Sequence, residues 1–438
     1  MYSFLIMMAD YLKSRNIHWF MVFFIFIMVR WAVVFFTSLR YRPYECADRK
    51  YYTTVIIPVV DEPLEMFARV LTEMVKQLPD EIIVVVNGPE NPQLLGLVEN
   101  LRVTWQHQPE YASVEVKLYY TDVPGKRNAI RIGVEHTNPD SEITVLVDSD
   151  AIWVKDTLRN LLKPFAFDEK IGGVTTRQKI YEPDRRFVTM VASVLEEIRA
   201  EGTMKAMSVT GKVGCLPGRT IAFRTSIMRE AMPEFMNETF MGFHKEVSDD
   251  RSLTNITLKM GYKTVMQDTS VVYTDAPLTW KKFARQQLRW AEGSQYNNIR
   301  MTPWMLKHAR LMCYIYWCDM LLPLLLFSVY TNMILCGIFR AMGYHLDTMV
   351  YTDPIRTIIV LVFIGATVSL GTRNIRIFSH VSPDHILFLP VMVVVLSLFM
   401  APIRVIGLMK CADSLGWGTR TLEVSNPETD QKKGKETH

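Results

Sequence analysis

The residues best equipped for chemistry in this 438-residue chain are polar groups placed just after short apolar runs. Asp148-Ser149-Asp150 follows the run ITVLV. Two carboxylates one residue apart at a strand end can share a hard divalent cation, Mg²⁺ or Mn²⁺, one directly and one through a ribose or a water. The plain alternative is a turn with solvated acids. Asp61 and Asn87 follow two earlier apolar runs, and polar groups at the ends of parallel strands form the ligand crevice of open α/β sheets. Pro124-Gly125-Lys126-Arg127-Asn128-Ala129 reads as a glycine turn entering a helix. Its two cations stand where the helix dipole favours acids, which points to an anion such as a diphosphate or to simple surface charge. Ser248-Asp249-Asp250-Arg251 opens another helical run. N-capping by the serine with acids in the first turn explains it, and so does a carboxylate acting as general base on an acceptor hydroxyl.

Gln286, Arg289 and Trp290 fall on one helix face. Arg289 there can meet a diphosphate and Trp290 can stack on a sugar ring, although Trp280, Lys281, Lys282, Phe283 and Arg285 equally mark an interfacial helix. Two glycine-punctuated segments, Gly214-Cys215-Leu216-Pro217-Gly218-Arg219 and Trp417-Gly418-Thr419-Arg420, read on their own as loops.

These groups need elements to hold them. From Tyr51 to about Asp275, strand-length runs (VIIPVV at 55–60, IIVVVN at 82–87, VEVKLYY at 114–120, ITVLVD at 143–148) alternate with helical patterns, which predicts an α/β sheet domain with mostly parallel strands. Ile17 to Leu39 is almost unbroken apolar sequence, close to the ~20 residues that span ~30 Å of hydrocarbon, and lacks a small-residue cleavage site. Arg40, Arg42, Arg49 and Lys50 follow and place the next domain in the cytosol by the positive-inside rule. Residues 1–12 read as a shorter interfacial element. Three later apolar stretches run from Leu311 to Phe339, Ile355 to Leu370 and His385 to Met409. For the catalytic domain and residues 412–422 both to face the cytosol an even number of crossings must separate them, so a break at Pro402 is expected, the alternative being two passes around Pro323. The expected segments are therefore 1–40 interfacial and transmembrane, 51–275 catalytic, 276–310 interfacial, 311–411 transmembrane or re-entrant, 412–422 gating and 423–438 a polar disordered tail.

Composition agrees with a protein part soluble and part membrane. Hydrophobic residues make up 49% while charged residues keep 21%. A net charge of +4 with no basic block interleaved with aromatics excludes nucleic acid as a partner. Six cysteines without a CxxC pair or zinc-spaced histidines read as reduced thiols.

Taken in order, the strand-end acid, lysine turn, DxD, glycine loop, acidic pair, QxxRW, apolar helices and WGTR form a series. On it the chain resembles the family 2 processive glycosyltransferases, which include hyaluronan, cellulose and chitin synthases. VDSD (147–150), SDDRSLTN (248–255), QQLRW and WGTR are most similar to the hyaluronan synthase branch. KVGCLPGRTIAFR and FMGFHKEVSDDRSLTN extend the likeness to capsular polysaccharide synthases.

The resemblance implies a GT-A-like (Rossmann-like) domain inserted between transmembrane helices of the cell membrane. It implies that Asp61, Asn87 and Lys126 hold uridine and diphosphate, that Asp148 and Asp150 organise the metal, and that Asp250 is the base with Asp249 next in line. Asn87 departs from the aspartate of many members. Gln286, Arg289 and Trp290 would border acceptor and diphosphate, Cys215 and Arg219 the acceptor, and Trp417 and Arg420 would close over nucleotide. The implied partners are UDP-glucose, UDP-glucuronic acid, the nascent polysaccharide and an initiating membrane lipid. Arg177, Lys212, Arg219 and Arg30 offer cations to glucuronate. A hyaluronan synthase using UDP-N-acetylglucosamine, a non-processive lipid-carrier transferase and a transporter with a nucleotide domain are the rival readings. Product length, primer and oligomeric state are not legible in the sequence.

Overall fold

The computed structural model describes residues 19–46, 48–343 and 389–412. Along the chain come α1 (Trp19–Ser38), β1 (Thr53–Val59), α2 (Leu64–Val75), β2 (Glu81–Asn87), α3 (Pro92–Gln106), β3 (Glu115–Thr121), α4 (Lys126–Glu135), β4 (Ile143–Val147), β5 (Ile152–Trp153) and α5 (Thr157–Phe167). Then follow β6 (Ile171–Ile180), α6 (Phe187–Arg199), a π-helical turn (Ala200–Met204), α7 (Lys205–Val209), β7 (Thr220–Arg224), α8 (Thr225–Met236), the short pair β8 (Thr239–Phe240) and β9 (Phe243–His244), α9 (Asp249–Lys259) and β10 (Lys263–Thr274). Three long helices close the described chain: α10 (Trp280–His308), α11 (Arg310–Ala341) and α12 (Leu389–Lys410).

β1, β2 and β4 are buried at every position, as continuous β-branched runs covered on both faces must be. α2 shows why helices flank them. Phe67, Val70, Leu71, Met74 and Val75 form one buried stripe at the spacing of a single helix face. Two apolar layers result, one under each face of the sheet.

The eight strands lie in the order β3-β2-β1-β4-β7-β6-β10-β5. The half from β3 to β4 is parallel, as expected from the sequence. The other half is mixed, because β7 runs antiparallel to both β4 and β6 while β6 and β10 are parallel to each other. Register then fixes which residues meet. Val59 sits beside Val86 and Ile56 beside Leu146, so Asp61, Asn87 and Asp148 emerge along one edge. Antiparallel pairing sets Thr220 opposite Val147, which delivers the glycine loop 214–219 to that same edge.

Among the described residues one stretch, Arg310–Ser328 of α11, is long and apolar enough to cross a membrane, and a shorter apolar stretch, Ile25–Ser38, lies in α1. Pro402 does not break the last apolar stretch: α12 is a single helix of 22 residues that runs through it. Ala401 and Ile403 on either side are buried, and tight packing of Gly407 against Ala291 and Glu292 of α10 holds the helix where one backbone hydrogen bond is missing. Pro323 likewise lies inside α11. Arg30 of α1 does not reach for a surface. It is 3% exposed and pairs with Asp319 of α11, the arrangement expected of a cation among apolar helices. Ile355–Leu370, residues 1–12 and the WGTR segment fall outside the described residues.

Candidate active site

Four sequence-distant elements meet at the carboxyl end of β4. Lys126 opens α4 immediately after Gly125, whose φ of 146° is open to glycine alone. Its Nζ lies 2.5 Å from Asp148 Oδ1. Across the cleft is Gly218. A Cβ there would stand 3.5 Å from Asp250 Cβ, 3.6 Å from Lys126 Nζ and 3.9 Å from Asp148 Oδ2. Donor-side cation, DxD acid and the acidic pair thus surround one point that the absence of a side chain keeps open. Pro58, Lys126, Asp148, Gly218, Asp249 and Asp250 line a single narrow cleft.

The two acids of the DxD differ. Asp148 accepts Lys126, and its backbone N–H donates to the Arg219 carbonyl (3.1 Å). Asp150 lies two residues before β5, which pairs with the end of β10, and accepts a hydrogen bond from Thr274 Oγ1 (3.1 Å). Burial, helped by the neighbouring charge of Asp148, pushes the Asp150 carboxyl up to about 6 against the pull of Arg219. The donor set suits a cation of the Mg²⁺ or Mn²⁺ class. Both carboxylates offer hard oxygens, one of them is destabilised as a bare anion, and no cluster of three or more acids, histidines or cysteines suited to a metal occurs among the described residues. Nucleotide phosphates and water would complete such a shell.

Asp249 and Asp250 part in the same way. Asp249 turns inward, where Arg127 Nε donates to its Oδ1 at 3.0 Å. Arg127 is itself buried and also donates to the Phe235 carbonyl (2.6 Å), Glu238 Oε2 (2.8 Å), the Val247 carbonyl (3.1 Å) and Ser252 Oγ (3.1 Å). Burial raises the Asp249 carboxyl although Arg127 and Lys126 pull it down. Asp250 faces the cleft, partly exposed; its Oδ1 accepts from the Arg251 backbone N–H (2.8 Å) and its Oδ2 lies 3.7 Å from Cys215 Sγ. Burial pushes the Cys215 thiol up to about 12, so it is neutral at ordinary pH. Ser248 does not cap α9. Its backbone is left-handed (φ 63°), its side chain makes no cap bond, and its hydroxyl lies against Gly293 of α10, where a Cβ would collide with it.

Other expected residues scatter around this centre. Asn87 is 1% exposed, and both ends of its amide serve the backbone, Nδ2 donating to the Val59 carbonyl (3.1 Å) and Oδ1 accepting from Gly125 N–H (3.2 Å). It shapes the lysine turn. Asp61 is exposed at the bend after β1. Arg219 Nη1 bonds Gln178 Oε1 (2.5 Å) and Glu196 Oε1 (3.0 Å), and its guanidinium lies 5.7 Å from the Trp290 ring centre. Gln286 and Arg289 are half-buried on the same helix, α10. Arg177 is not available to a substrate carboxylate. It is 3% exposed and held by Glu197, Glu201 and Asp268. Lys212 stands over Trp304 instead (5.4 Å). Trp417 and Arg420 lie outside the described residues. Sequence reasoning missed Thr274, Gln178 and Glu196, none of which has a local motif. It also read Arg127 as a diphosphate cation or a surface charge, not as a buried clamp.

The chain is 26% identical over 262 residues to the hyaluronan synthase of Streptococcus pyogenes, covering 58% of this chain and 59% of that protein. A type 2 glycosyltransferase of Zymoseptoria tritici is 26% identical over 296 residues, 64% of this chain and 59% of that one. The chain therefore spans about three fifths of the length of these relatives. In three dimensions it is similar to a mannosyltransferase of Pyrobaculum calidifontis in complex with GDP-Man and Mn²⁺, with a TM-score of 0.57, 19% identity and coverage of 89% of this chain and 99% of that one. That likeness, with the mixed sheet, fits a GT-A-like, Rossmann-like domain. The profile described as "Glycosyltransferase like family 2" matches residues 50–293, more than half of the sequence, and the chain belongs to that family.

Proposed function

We propose that this protein is a processive, inverting polysaccharide synthase of the cell membrane that draws on UDP-sugars at a cytosolic cleft. One observation carries the reading: Lys126, Asp148 and Asp250 converge on the space above Gly218. A glycosyl donor seated there has its diphosphate beside a cation and its anomeric carbon within reach of a carboxylate.

The mechanism follows from where the charges stand. Asp61 and the Asn87-braced turn border the nucleotide, and Lys126 meets the diphosphate, with Arg289 added from α10. A divalent cation held by Asp148 and Asp150 would neutralise charge on the departing UDP. As UDP leaves, Asp250 takes the proton of the acceptor hydroxyl that attacks from the opposite face, so an α-linked donor gives a β-linked product. Asp249 stays with Arg127 and fixes the loop that carries Asp250. Trp290, backed by Arg219, offers a stacking surface for the acceptor sugar, with Gln286 and Cys215 beside it. Trp417 and Arg420 would close over the nucleotide. The apolar helices α1, α11 and α12, together with the cations that follow α1, support a membrane setting with the sheet domain in the cytosol.

For the sugars, resemblance to the pneumococcal type 3 capsular polysaccharide synthase favours alternating addition of glucose and glucuronic acid from UDP-glucose and UDP-glucuronic acid. The similarity to hyaluronan synthases favours a second reading, UDP-N-acetylglucosamine with UDP-glucuronic acid. Radiolabel incorporation by the purified full chain separates them. Each donor alone should give about one addition per chain end, and UDP-glucose with UDP-glucuronic acid should give long product. Long product only from the N-acetylglucosamine mixture would establish the second reading, and short product from every mixture would leave a non-processive transferase.

A further inference from the structure

At the other edge of the sheet, where β1 begins at Thr53, a cavity of about 190 Å³ lies under the tether that joins α1 to β1. The seven residues of β1 separate it from Asp61. Its walls carry Arg49, Lys50, Arg159 and Lys163 against two acids, Asp48 and Asp80. Both acids are already engaged. Asp80 Oδ2 accepts from Thr53 N–H (2.8 Å) and Thr53 Oγ1 (3.2 Å), and Asp48 Oδ2 accepts from Arg159 Nε (2.8 Å) and Nη2 (2.5 Å). Arg49 comes no nearer to Glu142 than 3.8 Å and lies over the Tyr51 ring. Lys50 forms no close ion pair among the described residues, and Lys163 forms none either, although its charge joins that of Arg159 in lowering the Asp48 carboxyl. On the same wall Tyr51 is 3% exposed, and its buried hydroxyl has no hydrogen-bond partner among those residues.

We propose that this cavity is a binding site for a compact phosphate-bearing anion. Ammonium groups without a close carboxylate partner recognise an oxyanion through charge-assisted hydrogen bonds. The volume is below the ~300–1,000 Å³ of pockets that take drug-sized ligands, which suits a phosphate or diphosphate group whose attached portion extends out of the open mouth. A free phosphate ester and the headgroup of an anionic lipid both present that group. Binding would fasten residues 48–51 to α5. The tether is already held by Tyr41 at β10, by Tyr44 at Gln267 and by Cys46 at the Lys163 carbonyl, so an occupant would tighten the link between the membrane helix and the sheet.

The test uses the full chain in phosphatidylcholine nanodiscs, with EDTA present, and inorganic pyrophosphate as the probe. Wild type should bind it with little sensitivity to added UDP. The double variant Lys50→Ala with Lys163→Ala, two side chains that hold no other group, should bind at least tenfold more weakly with UDP affinity unchanged. If the source is lipid, pyrophosphate binds to neither protein, but replacing half the lipid with phosphatidylglycerol raises the Tm of wild type by a few degrees and leaves the double variant unmoved. Displacement of pyrophosphate by UDP, or indifference of both measurements to the two lysines, would overturn the proposal. Because the readouts are binding and Tm, the result is independent of which sugars are polymerised.

Discussion

Lys126 and Arg127 are adjacent in sequence yet point to opposite purposes: one enters the cleft at Asp148, the other ties Asp249 to Glu238 and the loop before α9. The acidic pair is divided by that clamp, which gives a sharp expectation. Asp250→Asn should bind UDP-sugar about as well as wild type and lose turnover by three orders of magnitude or so, since a base acts on the transition state. Asp249→Asn should instead lower stability by roughly 1–3 kcal/mol, since Arg127 keeps Glu238 but loses one charge-assisted hydrogen bond, and its surviving folded fraction should still turn over. Normal turnover in Asp250→Asn would move the base elsewhere. Asp150 supplies a second expectation. Its folded-state pKa of about 6 lies above the ordinary 3.8, so the folded protein favours the protonated form. The metal-free protein therefore loses stability as pH rises from about 4 through about 6, and the cost is complete above that. In EDTA, Asp150→Asn should have the higher Tm at pH 7.5, with the gap closing toward pH 4. A Tm difference that widens at low pH would contradict the burial of this carboxyl. The acids and the lysine turn were legible in the sequence because strand ends and glycine turns are local signals. The fate of Arg127, Asn87 and Arg177 was not, because each is decided by partners far along the chain.

At the scale of elements, α10 does more than present QxxRW. Gly293 lets Ser248 nest against it and Gly407 of α12 packs on Ala291, so this helix sets the start of α9 against the apolar helix α12. Gly293→Ala should cost about 1–3 kcal/mol by overpacking and should depress kcat more than the donor KM, because the displaced residues adjoin Asp250. Thermal unfolding and steady-state kinetics on one preparation test both halves, and a stable variant with normal kcat would show that the Ser248 contact is slack. Helix-level reading of the sequence failed most clearly at Pro402. A proline marks the loss of one hydrogen bond, but burial of its neighbours decides whether the helix ends. The serine cap failed for a related reason, since the contact with α10 outweighs local capping.

For the molecule as a whole, the parallel half of the sheet was readable because β1, β2 and β4 are largely continuous apolar runs and β3 alternates apolar with polar residues. Nothing local announces that β7 will enter between β4 and β6 in the opposite sense, yet that single reversal brings Gly218 and Arg219 to Asp148. It also has a temporal consequence. On the ribosome, β1 to β4 are complete and able to pair while the glycine loop, α9 and β10 are still unmade. At ~5–20 residues per second, Asp148 waits on the order of ten seconds for Thr274 and the last strands. A nascent chain halted in that interval has Asp61, Lys126 and Asp148 but neither Asp250 nor Arg289, so the proposed donor site and the proposed base are both completed only once α10 is made.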